Sequence, residues 1–148
     1  GREDIIIHNG EWRDTELREW LATGHVGVYV SSGEGYGLQP KEMMASGLPL
    51  IACINTGLAE YLRPEHILEV AQIRRPSTYW KRIFNIEVNE PFPVKESIVS
   101  QLHFAHDNPR KLEMMSLIAS AHARSYTWEK VGQLAYNHIT DFIGATAC

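Results

Sequence analysis

The chain alternates short apolar runs with segments of mixed polarity, which is the pattern of a protein built from strands and helices. An apolar, β-branched run at Val26–Val30 leads into a glycine-rich loop, and a second apolar run follows at Leu50–Ile54. Continuous runs of this length are typical of strands buried on both faces. Between them, Gln39-Pro40 is a typical helix start and Gly47 a typical helix end. The pattern predicts a strand–loop–helix–strand unit.

The same rules predict further elements on both sides of this unit. The predicted strands are Asp4–His8 and Ile67–Ala71, and a short helical piece is predicted at Leu58–Leu62. The first predicted helix has Asp14 as its N-cap and ends at Gly24. Three more helices are predicted near the C-terminus: Lys95–Ala105, Arg110–Arg124 and Trp128–Ile143, the last capped by Thr127. Met114 and Met115 in the second of these are candidates for the core of the domain.

The segment Gln72–Val94 has the weakest pattern in the chain, because prolines interrupt it at both ends. Within it, Tyr79–Val88 is compatible with an added strand or a hairpin. Its four basic residues have two interpretations: they reach a phosphate, or they form a solvated surface, which is the commoner case for such a cluster. These residues are Arg74, Arg75, Lys81 and Arg82.

The glycine-rich loop carries the clearest candidate chemistry. Gly35 and Gly37 have no Cβ, so their backbone N–H groups can approach a ligand at the start of a helix. Free N–H groups and the helix dipole favour an anion there, and a phosphate or diphosphate fits. Glu34 precedes this position and Glu42 follows on the first turn of the predicted helix. A carboxylate repels phosphate, so both glutamates suit neutral hydroxyls of a ribose or a sugar.

Two other interpretations of this stretch remain open. A glycine loop between a strand and a helix is common, and Glu42 near a helix N-terminus can simply complement the dipole. The turn Thr56-Gly57 follows the next strand. Since ligands of open α/β sheets bind at the carboxyl ends of strands, this turn either lies beside the glycine loop and reaches the ligand or is a plain turn.

Taken as a whole, the stretch resembles a known signature. Glu34 and Glu42, separated by seven residues, lie in S-x-G-E-G-Y-G-L-x-x-x-E-x-M-A-S-G-L-P-L-I-A. This closely resembles the donor-site motif of family 4 retaining glycosyltransferases (glycosyl transferases group 1). Those enzymes have the GT-B fold, in which two Rossmann-like domains face each other, and the motif belongs to the C-terminal, nucleotide-sugar-binding domain.

The resemblance implies roles for individual residues. It implies that Glu42 holds the ribose hydroxyls of the nucleotide and that Glu34 lies at the donor sugar and the reacting centre. It also implies that a backbone segment lines the sugar and the diphosphate, and this segment is Gly35, Tyr36, Gly37 and Leu38. Two positions depart from the family pattern: Lys41 replaces an apolar residue, and Leu58 follows Thr56-Gly57 where a second glycine is common.

Near the end of the chain, Tyr126-Thr127-Trp128-Glu129 resembles the pattern that precedes the last helix of many such transferases. In GT-B enzymes that helix often crosses back towards the N-terminal domain. The resemblance therefore implies that apolar side chains of the last helix are partly exposed in this domain alone. These side chains are Trp128, Tyr136 and Phe142.

Composition narrows the class of protein. The 148 residues predict one Rossmann-like domain, residues 1–148, with strand–helix alternation over 1–94 and helices over 95–148. A net charge of −4 without a basic run argues against nucleic acid as a partner. The histidines lack metal-ligand spacing and are interpreted as surface or packing residues. The resemblance implies no metal and no cofactor, because the nucleotide sugar is the substrate. Cys53 and Cys148 form no disulfide framework, which favours a reducing, cytoplasmic location.

The sequence also suggests a part of a longer enzyme. It starts at Gly1 and has the length of one domain, so we expect the acceptor domain to lie N-terminal to it. No apolar stretch is as long as a transmembrane helix, so any membrane association is expected through the rest of the protein. In the family, an Arg and a Lys before the glycine loop help to neutralise the diphosphate, and we expect their counterparts to precede Gly1. The isolated domain is therefore expected to be inactive.

The sequence thus predicts an α/β fold with a parallel sheet flanked by helices and a helical C-terminus. The resemblance implies a domain that binds a nucleotide-diphosphate-sugar donor, such as a UDP- or GDP-sugar, for a retaining glycosyltransferase acting on an acceptor hydroxyl. One alternative is a non-catalytic nucleotide- or sugar-binding module, or a degenerate transferase fragment. A flavodoxin-like regulatory domain is a further alternative, but it leaves the pair Glu34 and Glu42 unexplained.

Overall fold

A parallel sheet of three short strands lies at the centre of the fold. The structure, a computed structural model, describes residues 4–146. Its strands β1 (Gly27–Tyr29), β2 (Leu50–Ala52) and β3 (Ile67–Glu69) lie side by side in chain order. Val28 is in register with Ile51, and Ile51 with Leu68. Since all three strands run in the same direction, their carboxyl ends meet at one edge of the sheet.

Helices connect and cover these strands. Helix α2 (Leu38–Ala45) joins β1 to β2, and a 3₁₀ turn (Thr56–Glu60) lies between β2 and β3. Helix α1 (Asp14–Leu21) precedes the sheet, and α4 (Lys95–Asp107), α5 (Pro109–Arg124) and α6 (Trp128–Thr146) follow it. The predicted strand–loop–helix–strand unit is confirmed, although each strand is shorter than its apolar run.

The central strand β2 is buried on both faces, which explains its uninterrupted apolar sequence. Leu50 and Ala52 belong to a core cluster with Met44 of α2 and Ala119 of α5. Their neighbours in the chain point the other way, because successive side chains of a strand alternate between faces. Ile51 and Cys53 thus belong to a second cluster, whose other members include Ala105 of α4 and Leu112 and Met115 of α5.

This arrangement confirms the predicted fold class at the level of a mixed α/β protein. A parallel sheet has helices on both faces, and further helices follow to the C-terminus. A parallel sheet flanked by helices is consistent with a Rossmann-like domain, although β2 and β3 are joined by a 3₁₀ turn and not by an α-helix.

The predicted strand Asp4–His8 is wrong. This segment is not in a strand, and Ile5, Ile6 and Ile7 are 59%, 77% and 76% exposed. A strand needs a neighbour to satisfy its backbone groups, and the described part of the chain pairs no strand with this segment. The apolar run alone could not reveal that.

The N-terminal boundary of α1 also differs from the prediction. Arg13 is the N-cap and Asp14 the first helical residue. The Glu16 carboxylate accepts the backbone N–H of Arg13 at 2.9 Å, so the third helical residue reaches back to satisfy the cap. The acidic side chain that stabilises this end is therefore Glu16.

The segment after β3 forms an antiparallel pair with a helix inserted between its strands. The elements are β4 (Gln72–Pro76), α3 (Thr78–Phe84) and β5 (Asn89–Pro93). The prediction of a strand or hairpin over Tyr79–Val88 is wrong, because the helix occupies most of it. Ser77 caps this helix by accepting the N–H of Trp80 at 3.3 Å, a local signal that the sequence contained.

The C-terminal helices follow the prediction closely. Thr127 caps α6, since its Oγ1 accepts the N–H of Lys130 at 3.2 Å. Trp128, Tyr136 and Phe142 on this helix are 82%, 64% and 71% exposed, as expected. Over residues 4–146, no helix combines the length and apolar character needed to cross a bilayer.

Two adjacent methionines of α5 provide a test of the core. Met115 is 3% exposed and packs beneath the sheet, whereas Met114 is 62% exposed, so its predicted place in the core is wrong. Met115→Ala is expected to lower the free energy of unfolding by about 2–5 kcal/mol, because it leaves a cavity. Met114→Ala, the matched control, should change it by less than about 1 kcal/mol. Urea denaturation followed by circular dichroism measures both, and equal losses would contradict this packing.

Candidate functional site

The residues that follow all three parallel strands are tied together at the carboxyl edge of the sheet. Asn55, just after β2, donates through Nδ2 to the carbonyl oxygen of Ser31 at 2.8 Å and to Oε1 of Gln72 at 2.6 Å. Gln72 in turn donates through Nε2 to the carbonyl oxygen of Ile54 at 3.2 Å. Asn55 is buried, so these bonds are shielded from water and hold the loops in fixed positions.

The turn Thr56-Gly57 binds the glycine-rich loop directly. Oγ1 of Thr56 accepts the backbone N–H of Glu34 at 2.9 Å. The N–H of Gly57 donates to the carbonyl oxygen of the same glutamate at 3.1 Å. We call this pair of bonds the backbone clamp. The prediction that the turn lies beside the glycine loop is confirmed; its contact with a donor stays a prediction.

The clamp requires glycine at position 57. A Cβ added to Gly57 would lie 2.2 Å from the carbonyl oxygen of Gly35 and 2.9 Å from that of Glu34. Both obstacles are backbone atoms, so no side-chain rotation relieves the clash. In contrast, a Cβ on Gly35 would meet nothing within 4 Å. The glycine of the turn is thus structural, whereas Gly35 leaves open space at the loop surface.

The Glu34 side chain is positioned by Tyr29, the last residue of β1. The phenolic hydroxyl of Tyr29 donates to Oε1 of Glu34 at 2.6 Å. Burial raises the pKa of Tyr29 to about 12, and the hydrogen bond to the Glu34 carboxylate adds to the effect. Tyr29 therefore stays a donor at neutral pH. Among the described residues, Oε2 of Glu34 has no hydrogen-bond partner, so one carboxylate oxygen remains available to a ligand.

Helix α2 begins one residue earlier than predicted, at Leu38. Its N-cap, Gly37, has φ = +76°, and a Cβ there would lie 2.4 Å from Cδ2 of Leu58. The N–H groups of Leu38 and Gln39 lack helical acceptors because they belong to the first turn. Glu42 is then the fifth helical residue, and the first turn contains no acidic residue. The prediction that Glu42 lies on the first turn is wrong, which weakens its interpretation as a complement to the dipole.

The candidate residues border two hollows that meet at the glycine-rich loop. Glu34, Gly35 and Thr56 line a cleft of about 1060 Å³ at the carboxyl edge of the sheet, which we call the edge cleft. The second hollow, the helix cleft, has about 480 Å³ and lies between α2 and the start of α6. Tyr36, Leu38 and Glu42 line the helix cleft, whereas Gly37 and Gly57 line neither cleft.

The structure thus brings Glu34 and Glu42 to different sides of one loop. Gly35 lines the edge cleft and the next residue, Tyr36, lines the helix cleft. The loop backbone is therefore the boundary between the two carboxylates. A ligand that touches both glutamates therefore has to cross the loop. It crosses near the start of α2, where the first N–H groups have no acceptor within the helix.

Lys41 occupies an aromatic cage that the sequence pattern did not reveal. Its Nζ lies 4.2, 4.5 and 3.9 Å from the ring centroids of Tyr36, Tyr61 and Tyr126, and it also donates to the hydroxyl of Tyr36. Cation–π attraction to three rings fixes this lysine within the wall of the helix cleft. The departure of Lys41 from the family pattern therefore has a structural role: it links the glycine-rich loop to the junction of α5 and α6.

Sequence reasoning also missed the far wall of the edge cleft. Tyr79 and Trp80 of α3 line this cleft, together with Arg74, Asn89 and Glu90. Of the four basic residues in this segment, Arg74 lines the cleft, whereas Lys81 forms an ion pair with Glu87 at 2.7 Å. The adjacent aromatic residues Tyr79 and Trp80 were visible in the sequence. Their position in the cleft could not be predicted, because it depends on the pairing of β4 with β5, which are separated in the chain.

No group of three His, Cys, Asp or Glu side chains suited to a metal ion occurs within residues 4–146. The thiol of Cys53 is buried, and burial raises its pKa to about 11. A thiol with such a pKa is protonated at neutral pH and is a poor nucleophile. The candidate chemistry thus lies in the carboxylates, hydroxyls and backbone groups around the glycine-rich loop.

Comparison of the sequence with protein-family models gives no match, and comparison with curated proteins gives none either.

The two glycines that flank the backbone clamp respond differently to a methyl group. Gly57→Ala is expected to lower the free energy of unfolding by about 1–3 kcal/mol or more, because the new Cβ overlaps backbone atoms. Gly35→Ala, the matched control, should stay within about 1 kcal/mol of the unchanged chain. Thermal and urea unfolding measure both variants. A Gly57→Ala variant as stable as Gly35→Ala would show that the loop and the turn are not in contact.

Proposed function

We propose that this chain is the donor-binding domain of a GT-B, family 4-like retaining glycosyltransferase, and that it binds a nucleotide-diphosphate sugar. One observation carries the proposal. The backbone clamp holds Glu34 at the carboxyl edge of a parallel sheet, with Glu42 on the helix that follows. Ligands of open α/β sheets bind at this edge, and the two glutamates have the spacing of the donor-site motif.

In this proposal the nucleoside binds in the helix cleft. Glu42 is exposed on α2 and lines this cleft, so its carboxylate can accept hydrogen bonds from the two ribose hydroxyls. The diphosphate then crosses the loop at the start of α2. The N–H groups of Leu38 and Gln39 and the positive end of the helix dipole compensate its charge there. This placement keeps phosphate away from both carboxylates.

The donor sugar then lies on the Glu34 side of the loop. The free Oε2 of Glu34 accepts a hydrogen bond from a sugar hydroxyl, while Tyr29 holds Oε1 at 2.6 Å and fixes the orientation of the carboxylate. In the transfer reaction, negative charge develops on the diphosphate as the glycosidic bond breaks. Preorganised N–H groups at the start of α2 stabilise this charge without reorganisation.

The proposal gives this chain the donor half of the reaction. The acceptor domain, which supplies the acceptor hydroxyl, is proposed as its partner. No metal or other cofactor is required at the diphosphate in the family pattern. We also propose a cytoplasmic location, supported by the buried thiol of Cys53.

Calorimetric titration with UDP, GDP and ADP tests the proposal. The unchanged chain is expected to bind one of the three selectively. Glu42→Ala should weaken that binding roughly tenfold or more, because hydrogen bonds to a charged group are worth about 1.5–3 kcal/mol. Glu96→Ala is the control, since Glu96 is an exposed glutamate on α4 outside both clefts.

Two outcomes of these titrations would count against the proposal. Absence of binding by the unchanged chain at millimolar nucleotide would contradict the proposal. Equal affinities of Glu42→Ala and Glu96→Ala would show that the nucleotide binds elsewhere.

A further inference from the structure

Residues 72–93 form an appendage with a closed base. It consists of β4, α3 and β5, and the two strands pair from Gln72 with Pro93 to Pro76 with Asn89. Next to this base, the N–H of Val94 donates to the carbonyl oxygen of Ala71 at 2.9 Å. The two ends of the appendage are thus held together, so it projects from the domain as one unit.

The appendage is fixed to the carboxyl edge of the sheet by its first residue. The side chain of Gln72 accepts a hydrogen bond from Asn55 at 2.6 Å and donates to the carbonyl oxygen of Ile54 at 3.2 Å. Asn55 is also bonded to Ser31, at the start of the glycine-rich loop. The base of the appendage therefore shares one hydrogen-bond network with the loop that carries Glu34.

Helix α3 places an aromatic surface in the edge cleft. Tyr79 and Trp80 both line it, and Trp80 is 37% exposed. The Trp80 ring is supported by Tyr79 and Phe84, at centroid distances of 5.7 and 5.2 Å. Since Ser77 caps the helix through the N–H of Trp80, the backbone at this position is also fixed. The indole is held in place while part of its surface stays open to a ligand.

The polar residues of the same cleft are suited to hydroxyl groups. Glu34 is an acceptor, Asn89 has both donors and acceptors, and Arg74 has donors only. The Glu34 carboxylate disfavours a phosphate beside it. A pyranose ring has an apolar C–H face and a rim of hydroxyls, so it matches an aromatic surface beside such groups. The volume of about 1060 Å³ leaves ample room for one ring.

We infer that the edge cleft binds a pyranose ring that stacks on Trp80, with its hydroxyls bonded to Glu34 and Asn89. The appendage is thereby the part of the chain that selects the sugar. This inference rests on the proposed function in one respect, the identification of the ring as the sugar of the nucleotide donor.

Paired titrations with a bare nucleotide and its nucleotide sugar test the inference. UDP is compared with UDP-glucose, GDP with GDP-mannose, and ADP with ADP-glucose. Trp80→Ala is expected to weaken nucleotide-sugar binding roughly 3- to 10-fold, the value of one aromatic stacking contact, and to leave the bare nucleotide unaffected. Ile83→Ala is the control, because Ile83 is exposed on α3 but does not line the cleft.

A second measurement on the unchanged chain is independent of any effect of the variant on folding. The indole N–H resonance of Trp80 is assigned with Trp80→Phe, which keeps an aromatic ring. It is then followed by NMR during titration with the three nucleotide sugars and with free glucose, mannose, galactose and N-acetylglucosamine. At least one of these sugars is expected to shift the Trp80 resonance and to leave that of Trp20, on α1, unchanged.

The outcomes separate this inference from the proposed function. If no nucleotide binds but a free sugar shifts Trp80, the proposed function fails and the sugar site stands. If nucleotides bind but neither nucleotide sugars nor free sugars shift Trp80, the sugar site is overturned and the proposed function stands. Equal losses for the bare nucleotide and the nucleotide sugar in Trp80→Ala would also overturn the sugar site. If no ligand binds in the affinity titrations and no sugar shifts the Trp80 resonance, the proposed function and the sugar site are both overturned.

Discussion

The backbone clamp between the glycine-rich loop and the turn Thr56-Gly57 is the contact on which the candidate site depends. It joins the segments that follow two neighbouring parallel strands, and it fixes Glu34 through both its N–H and its carbonyl group. Only glycine at position 57 permits this approach, since a Cβ would lie 2.2 Å from the carbonyl oxygen of Gly35. The clamp in turn requires that β1 and β2 stay in register, which the burial of alternate β2 side chains on the two faces of the sheet favours.

The same loop divides the site into two chemical environments. The helix cleft contains Glu42 and the cation of Lys41, which three tyrosine rings hold in place. The edge cleft contains Glu34 and the aromatic surface of α3. A nucleotide sugar has a matching order of groups: hydroxyls of the ribose, then the diphosphate, then hydroxyls of the sugar. In the proposed complex the diphosphate crosses the loop, so each carboxylate meets hydroxyls and neither meets phosphate.

The features that the sequence predicted are those set by local signals or by the parallel topology. The apolar runs around Val28 and Ile51 and the boundary residue Gly47 indicated the strand–loop–helix–strand unit, and the parallel order placed Thr56 beside the loop. Pairing and contact between distant segments could not be predicted in this way. The apolar run at residues 5–7 has no partner strand within the described part of the chain, and the place of Trp80 depends on the pairing of β4 with β5. The support of Glu34 by Tyr29 is likewise visible only in the structure.

In the proposed function, a nucleotide diphosphate binds across the glycine-rich loop at the carboxyl edge of the sheet. Backbone amide shifts of the ¹⁵N-labelled chain, mapped during titration with the nucleotide that binds, test it most directly. The largest shifts are expected at residues 33–39 and 42, with smaller shifts at Thr56 and Gly57. The opposite result is a set of shifts centred on the hollow at the amino ends of the strands, which is lined by His25, Pro49 and Pro109. That result would contradict the assignment of the site.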